Sequence, residues 1–504
     1  MDRGHRSRPD LLLWGLVLLT VLVGGVLAAH TRAMHFRFAF SAYDVGIHLQ
    51  ALWKFSRLQG LFNTVRGLNY WGDHLWISFA LLAPLYRIWT SPTLLYLYQG
   101  FGLAVGGLAV YGLARARLKS RAAAVVSAFL YWCYPGLIYM AQENFHPEAV
   151  GSTWLLLMLW AREVHRPCLY WTSVVLALLT KEDIPLYLFG YAAYEFVRGE
   201  RRRALILSLV SGGYFVIAMK VLLPYFNGVG FFRFGGGYWF SHWAANAMNP
   251  AFYAARLMRS EFRAYLWDLL WPVAFLPLGH PLKLMMLSGP AFLVNTLGGG
   301  YMLSIHYHYL YGIIPGIFAT TVASLESLER LAARWPSKGR VRRLGAAMAI
   351  SVILLPSFGF QMLRWRTSDS YVGMVRRLGL FQSWTNKKHN LLEELIAGVP
   401  ADAKVSASHN LVPFLANRDW IFMFPNPWRI MYWGIDGENL PSPDLVDTLF
   451  IDTHAIGPEY SQLMRGIIAD GWDIKKDEMG VVLARRVDNH PASVGQLTTH
   501  LTDS

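Results

Sequence analysis

Apolar runs of about 15 to 23 residues recur from Leu11 to Gln361, separated by short polar connectors. The hydrocarbon core of a bilayer is about 30 Å thick, which about 20 helical residues cross. With 54% hydrophobic and only 15% charged residues, such runs make the chain a polytopic α-helical membrane protein. A net charge of +14 would suit a nucleic-acid binder. Here the Lys and Arg residues cluster in the short connectors, which is the pattern of cytoplasmic loops, so the expected surroundings are membrane lipids and not nucleic acid. Cys133 and Cys168, the only cysteines, lie in or beside apolar segments and read as packing residues, not a disulfide.

Leu11–Ala29 follows a basic tip (Arg3, Arg6, Arg8) and reads as a retained first helix with its N-terminus in the cytoplasm. Leu75–Trp89 is short and carries Trp76, Tyr86, Arg87 and Trp89, so it is expected to lie in the outer interface. With that choice, Arg115–Arg121 becomes cytoplasmic and the later spans alternate, giving about eleven. Those later spans are 93–114, 122–140, 149–160, 168–180, 184–197, 204–223, 265–278, 284–297, 309–325 and 344–361. From about Arg364 the character changes to charged residues, prolines and alternating patterns. Strands are expected near 404–408, 444–452 and 480–485, with helices at 390–397 and 459–470. The division is therefore a transmembrane bundle over 1–363 and a small extracytoplasmic α/β domain over 364–504.

The acidic and histidine-rich motifs all fall at one end of these spans, and the basic clusters fall at the other. Ionisable groups near membrane depth are functional by default. Asp44 precedes an amphipathic stretch, Val45–Leu58; it can cap that helix, or accept a proton from a hydroxyl or hold a divalent metal. Asp73 and His74 form a carboxylate–imidazole pair before the interfacial segment, where capping is the plain alternative. Glu143, His146 and Glu148 crowd one connector, more than a solvated turn requires. Lys181, Glu182 and Asp183 lie between two apolar runs without a polar buffer, either as an ion-paired turn or as groups for a phosphate, hydroxyl or cation. His306 and His308 sit among tyrosines in an aromatic belt that would also serve as the rim of a sugar pocket. Arg233, in a glycine-rich loop, is a candidate phosphate contact. Spacing alone does not separate metal ligands from acid–base groups. No GxxxxGK[ST], zinc-type cysteine pairing or GxSxG is present.

Tyr43-Asp44-Val45-Gly46-Ile47, Gln50-Ala51-Leu52-Trp53, Gly72-Asp73-His74, Phe145-His146-Pro147-Glu148 and Lys181-Glu182-Asp183 resemble the predicted membrane-protein family catalogued as domain of unknown function 2079. His306-Tyr307-His308-Tyr309, Ile314-Pro315 and Val405 to Pro413 extend the resemblance over most of the chain. The layout is similar to the glycosyltransferase C superfamily, which uses polyprenyl-phosphate sugars and carries an acidic residue in its first outer loop. That resemblance implies Asp44 as general base or metal-associated acid, a divalent cation (Mg or Mn), a lipid-linked sugar donor and a plasma-membrane location. The sequence departs from the superfamily's adjacent acidic pair, since Asp44 is flanked by Tyr43 and Val45. The rival reading is a membrane transporter or a lipid-binding scaffold of envelope assembly, for which ionisable residues would line a path at mid-span.

Overall fold

The computed structural model describes residues 10–229, 246, 248–298, 300–334, 339–378, 386–431 and 438–487. Arg233 lies outside them. The first long helix, Leu11–His35, packs on Thr93–Arg117, and this pair is the most extensive helix contact of the bundle. Small residues allow it: a Cβ at Gly100 would lie 2.8 Å from the carbonyl oxygen of Gly24. Close backbone approach at small residues is how helices associate where both faces are apolar. Gly151–Glu163, Pro167–Leu178, Ile184–Val197, Arg201–Ile217, Pro281–Gly298, Ile314–Ala333 and Arg340–Leu363 complete the bundle.

Four helices among the described residues are long and apolar enough to cross a membrane: Leu11–His35, Thr93–Arg117, Arg121–Gln142 and Arg201–Asn227. Shorter apolar helices are Ile77–Ile88, Pro167–Leu178 and Met348–Leu363. Ile77–Ile88 is two-faced: Phe79, Leu82 and Tyr86 are buried, while Leu81, Leu85 and Ile88 are exposed. The segment expected to run unbroken over 265–278 does not. Its helix, Ser260–Leu270, stops before Pro272, and Ala274 and Phe275 take left-handed backbone angles before Pro277. A proline cannot donate to the preceding turn, so two of them five residues apart break the helix.

The C-terminal region holds a five-stranded sheet whose spatial order runs Ile421–Met423, Val405–Ala407, Thr448–Asp452, Val481–Arg486 and Trp472–Glu478. Its strands are β3 (Val405–Ala407), β4 (Ile421–Met423), β5 (Thr448–Asp452), β6 (Trp472–Glu478) and β7 (Val481–Arg486). A small hairpin, β1 (Phe62–Asn63) and β2 (Leu68–Asn69), belongs to the loop between the first two long helices. β3 is parallel to β4 and β5, and β7 is antiparallel to β5 and β6. Side chains alternate between the two faces of a sheet. Here Phe422, Leu449, Ile451, Val482 and Ala484 pack towards helix Pro458–Ala469. The other face, with Val405, Ala407, Ile421, Phe450 and Leu483, shares one core with Ala42, Val45, Leu49, Leu52 and Tyr86 of the first loop. β4 and β6 were not expected from the sequence.

Candidate active site

Asp44 sits in a turn between Ser41 and helix Ile47–Ser56, with φ 65° and ψ −85°. That is the strained γ-turn region for a residue with a side chain, and holding it costs about 1–3 kcal/mol. It does not cap the helix that follows: no side-chain cap bond forms there. Its carboxylate instead accepts a hydrogen bond from Asn144 Nδ2 at 3.1 Å, across to the connector before helix Gly151–Glu163. Burial pushes the Asp44 carboxyl above its usual range; His146 and His308 pull it back, and Glu143 and Glu148 push it further.

The 143–148 connector is shaped by Gln99, a buried polar residue on the apolar helix Thr93–Arg117. Gln99 Nε2 donates to the Asn144 carbonyl at 2.8 Å, and Gln99 Oε1 accepts from the His146 amide at 2.7 Å. His146 stacks on His308, with ring centroids 3.6 Å apart and planes at 20°. Glu143 Oε2 lies 3.1 Å from His308 Nδ1 and 3.7 Å from His146 Nε2. His146 Nε2 is buried with no hydrogen-bond partner. Glu143, His146 and His308 each offer one ligand atom, and these atoms lie within 4.8 Å of one another, so the trio could hold a metal ion. An orphaned imidazole nitrogen facing a carboxylate is consistent with that use.

Glu148 is fully buried. Its Oε1 accepts from Lys181 Nζ at 2.9 Å and lies 3.5 Å from His308 Nε2, and its Oε2 accepts from Trp76 Nε1 at 2.9 Å. Burial opposes ionisation of Glu148, yet Lys181, His308 and His146 hold its carboxyl well below the usual range. Lys181 is therefore ion-paired and not a free counter-charge. Glu182 turns the other way, accepting from His74 Nδ1 at 2.6 Å and from the Leu75 amide at 2.9 Å. Asp183 accepts from Tyr187 at 2.7 Å and from Tyr311.

The structure thus brings together Asp44, Glu143, His146, Glu148, Lys181 and His308, with His74, Glu182 and Asp183 around them. Asp73 is drawn aside into an ion triad with the buried Arg66, whose other partner is Glu438. His306 does not join the centre: it is exposed, its ring lies tilted against Tyr139 with centroids 4.2 Å apart, and it bonds Ser304. Three residues were missed by the sequence reading. Asn144 lies inside a recognised motif; Gln99 and His48 are polar groups on otherwise apolar helical faces. His48 packs on Trp76 and Phe145 and bonds Tyr70 at 2.7 Å.

The fold resembles that of ArnT. ArnT from Cupriavidus metallidurans bound to undecaprenyl phosphate superposes with a TM-score of 0.54 and 13% identity, covering 96% of this chain and 99% of that one. The apo state of the same protein gives 0.51 and 14%, covering 97% and 100%. At such identity the likeness concerns fold alone. The chain belongs to the predicted membrane protein family DUF2079, whose model matches residues 34–483. No functionally curated protein matches it significantly.

Proposed function

We propose that the protein is an integral-membrane glycosyltransferase that moves a sugar from a polyprenyl-phosphate donor to an acceptor on the extracytoplasmic face. The observation that carries this is the strained, partly buried Asp44 beside the cluster of Glu143, His146, Glu148, Lys181 and His308. The shared fold with a protein that was crystallised with undecaprenyl phosphate supports the donor class. In this reading the Asp44 carboxylate accepts the proton of the acceptor hydroxyl as its oxygen attacks C1. The bond from C1 to the phosphate oxygen breaks, and polyprenyl phosphate leaves with the bonding electrons. A base raised by burial towards the working pH suits that role.

Asp44, Glu143 and Glu148 place three carboxylates against the single ammonium of Lys181. A buried excess of negative charge is costly, and a divalent cation would offset it. Glu143, His146 and His308 would hold the ion. Two imidazoles favour manganese or zinc over magnesium, which prefers oxygen ligands throughout. Bound there, the ion would supply positive charge for the phosphate leaving group. Lys181 would add to that field while Glu148 keeps it oriented. His74, Glu182 and Asp183 would shape the acceptor side, and Asp73 would act through Arg66. His306, exposed in the structure, would be a peripheral contact, and Arg233 would be a phosphate contact. The gathering of ionisable groups at one end of the bundle, not along a mid-span path, weighs against the transporter reading.

The test is release of free polyprenyl phosphate by purified protein in nanodiscs, offered a panel of lipid-phosphate sugars with and without manganese. Turnover that Asp44→Asn lowers by about 10³-fold or more is expected. Metal analysis of wild type against His146→Ala reads the ion without relying on turnover. Folded protein inactive with every donor would return the transporter or scaffold reading.

A further inference from the structure

We infer that Thr64 and Gln50 are positioning residues that couple the C-terminal sheet to the turn bearing Asp44, so that the sheet is a working part of the site. The inference rests on the proposed role of Asp44, although its first readout does not. A turn at φ 65° and ψ −85° persists only where its surroundings over-determine it. Much of what surrounds this one comes from the far end of the sequence. Val412 packs against Gly46, where an added Cβ would lie 2.9 Å from Val412 Cγ1. Tyr43 Oη donates to the Met431 carbonyl at 2.6 Å. The sheet residues Val405, Ile421 and Phe450 share a core with the first loop.

The polar centre of this junction is small and fully buried. β4 is the edge strand of the sheet, and an edge strand normally presents unpaired N–H and C=O groups. Here the Thr64 hydroxyl takes the place of a neighbouring strand. It donates to the Ile421 carbonyl at 2.6 Å and accepts from the Ile421 amide at 3.1 Å. It also accepts from Gln50 Nε2 at 2.8 Å. Gln50 lies on the helix that begins directly after the Asp44 turn. Its Nε2 also donates to the Asp419 carbonyl at 3.1 Å, while its Oε1 accepts from the Thr64 amide at 2.9 Å. One hydroxyl and one amide therefore tie that helix, the β1–β2 hairpin and the edge of the sheet into one unit. Among the described residues, the hydrogen bonds of both side chains run to the hairpin and the sheet edge and not to the carboxylates or imidazoles of the candidate centre, so both act through backbone placement.

Thr64→Val keeps the shape and removes the hydroxyl, leaving both Ile421 backbone groups buried and unpaired; Thr64→Ser restores the hydroxyl. In full-length protein in nanodiscs, Thr64→Val is expected to speed amide exchange about tenfold in peptides covering 42–50 and 418–424. Peptides of helix Thr93–Arg117 should be unchanged. For an active donor, kcat should fall about tenfold with KM within about twofold, and Thr64→Ser should restore both readouts. Tyr43→Phe, which deletes the bond to Met431, is the milder second variant and should speed exchange at 42–50 by about threefold. Unchanged exchange at 42–50 in a folded variant overturns the inference. Faster exchange in a protein that turns over no donor supports the coupling and fails the glycosyltransferase reading instead.

Discussion

Asp44 combines two costs at a single residue, a positive φ with a side chain attached and a carboxyl surrounded by protein. Natural chains keep such costs where chemistry needs them. Glycine adopts positive φ freely, though it adds entropy to the unfolded chain. Asp44→Gly is therefore expected to stabilise the protein by about 1 kcal/mol in denaturant unfolding while abolishing turnover. A loss of stability instead would make the carboxylate a structural anchor. His74 offers a pH test outside the spans. Burial opposes its charge, but Glu182 beside it holds its pKa above the usual histidine range of about 6.5. The stabilisation is then complete below that value and is lost as pH rises through the raised one. Glu182 is depressed by His74 against its burial, so its share is lost only as pH falls through the depressed value. The difference in thermal midpoint between wild type and His74→Gln should be widest below the ordinary histidine value and should narrow as pH rises through the raised one. A difference that does not vary with pH would show an uncharged hydrogen bond. These charged residues were legible in the sequence because ionisable groups between apolar runs stand out. Gln99 and His48 were not, because one uncharged polar residue on an apolar helix has the same pattern whether it caps a neighbouring loop or fills a core.

At the scale of elements, the end of the bundle opposite the site is tied by ion pairs between helix ends. Arg162 pairs with Glu163 and Glu195, Arg203 with Glu195, and Arg117 with Glu163 and Glu326. Glu195 is buried and serves two arginines from two other helices, so removing it leaves the buried Arg162 with Glu163 alone and Arg203 with only Glu200 at 3.8 Å. Glu195→Ala should cost about 3 kcal/mol in unfolding stability. Arg330, in an exposed pair with Glu326 one turn away, should cost less than about 0.5 kcal/mol as Arg330→Ala. Equal effects would mean that burial does not set the strength of these pairs. Long apolar helices were readable from hydropathy, and Ile77–Ile88 was readable as two-faced from its aromatic and basic residues. The broken segment after Leu270 was not, because its apolar composition continues across the breaks at Pro272 and Pro277. β4 escaped notice because three residues cannot show a period. β6, Trp472-Asp473-Ile474-Lys475-Lys476-Asp477-Glu478, escaped because it is an edge strand whose charges discourage further pairing.

For the molecule as a whole, the sequence suggested a bundle over 1–363 and a small α/β domain over 364–504, and the sheet of the second shares a hydrophobic core with the first loop. That could not be read from the sequence, because contacts such as Thr64 to Ile421 join residues more than 350 positions apart. The charge layout was readable, and it fixes an orientation to test. Arg117, Arg162 and Arg203 meet at one end of the helices, while Asp44, Glu143, His146 and His308 meet near the other. Basic connectors stay in the cytoplasm because translocating them is unfavourable. On the proposed orientation the site, and the sheet packed on its loop, would face the opposite compartment. An enzyme that draws a lipid-linked sugar from the extracytoplasmic leaflet requires that arrangement. Alkaline phosphatase fused after Ser504 should be active and a green fluorescent reporter dark at the same position. The reverse result at the C-terminus would place the Asp44 site in the cytoplasm, where the donor would have to be drawn from the inner leaflet.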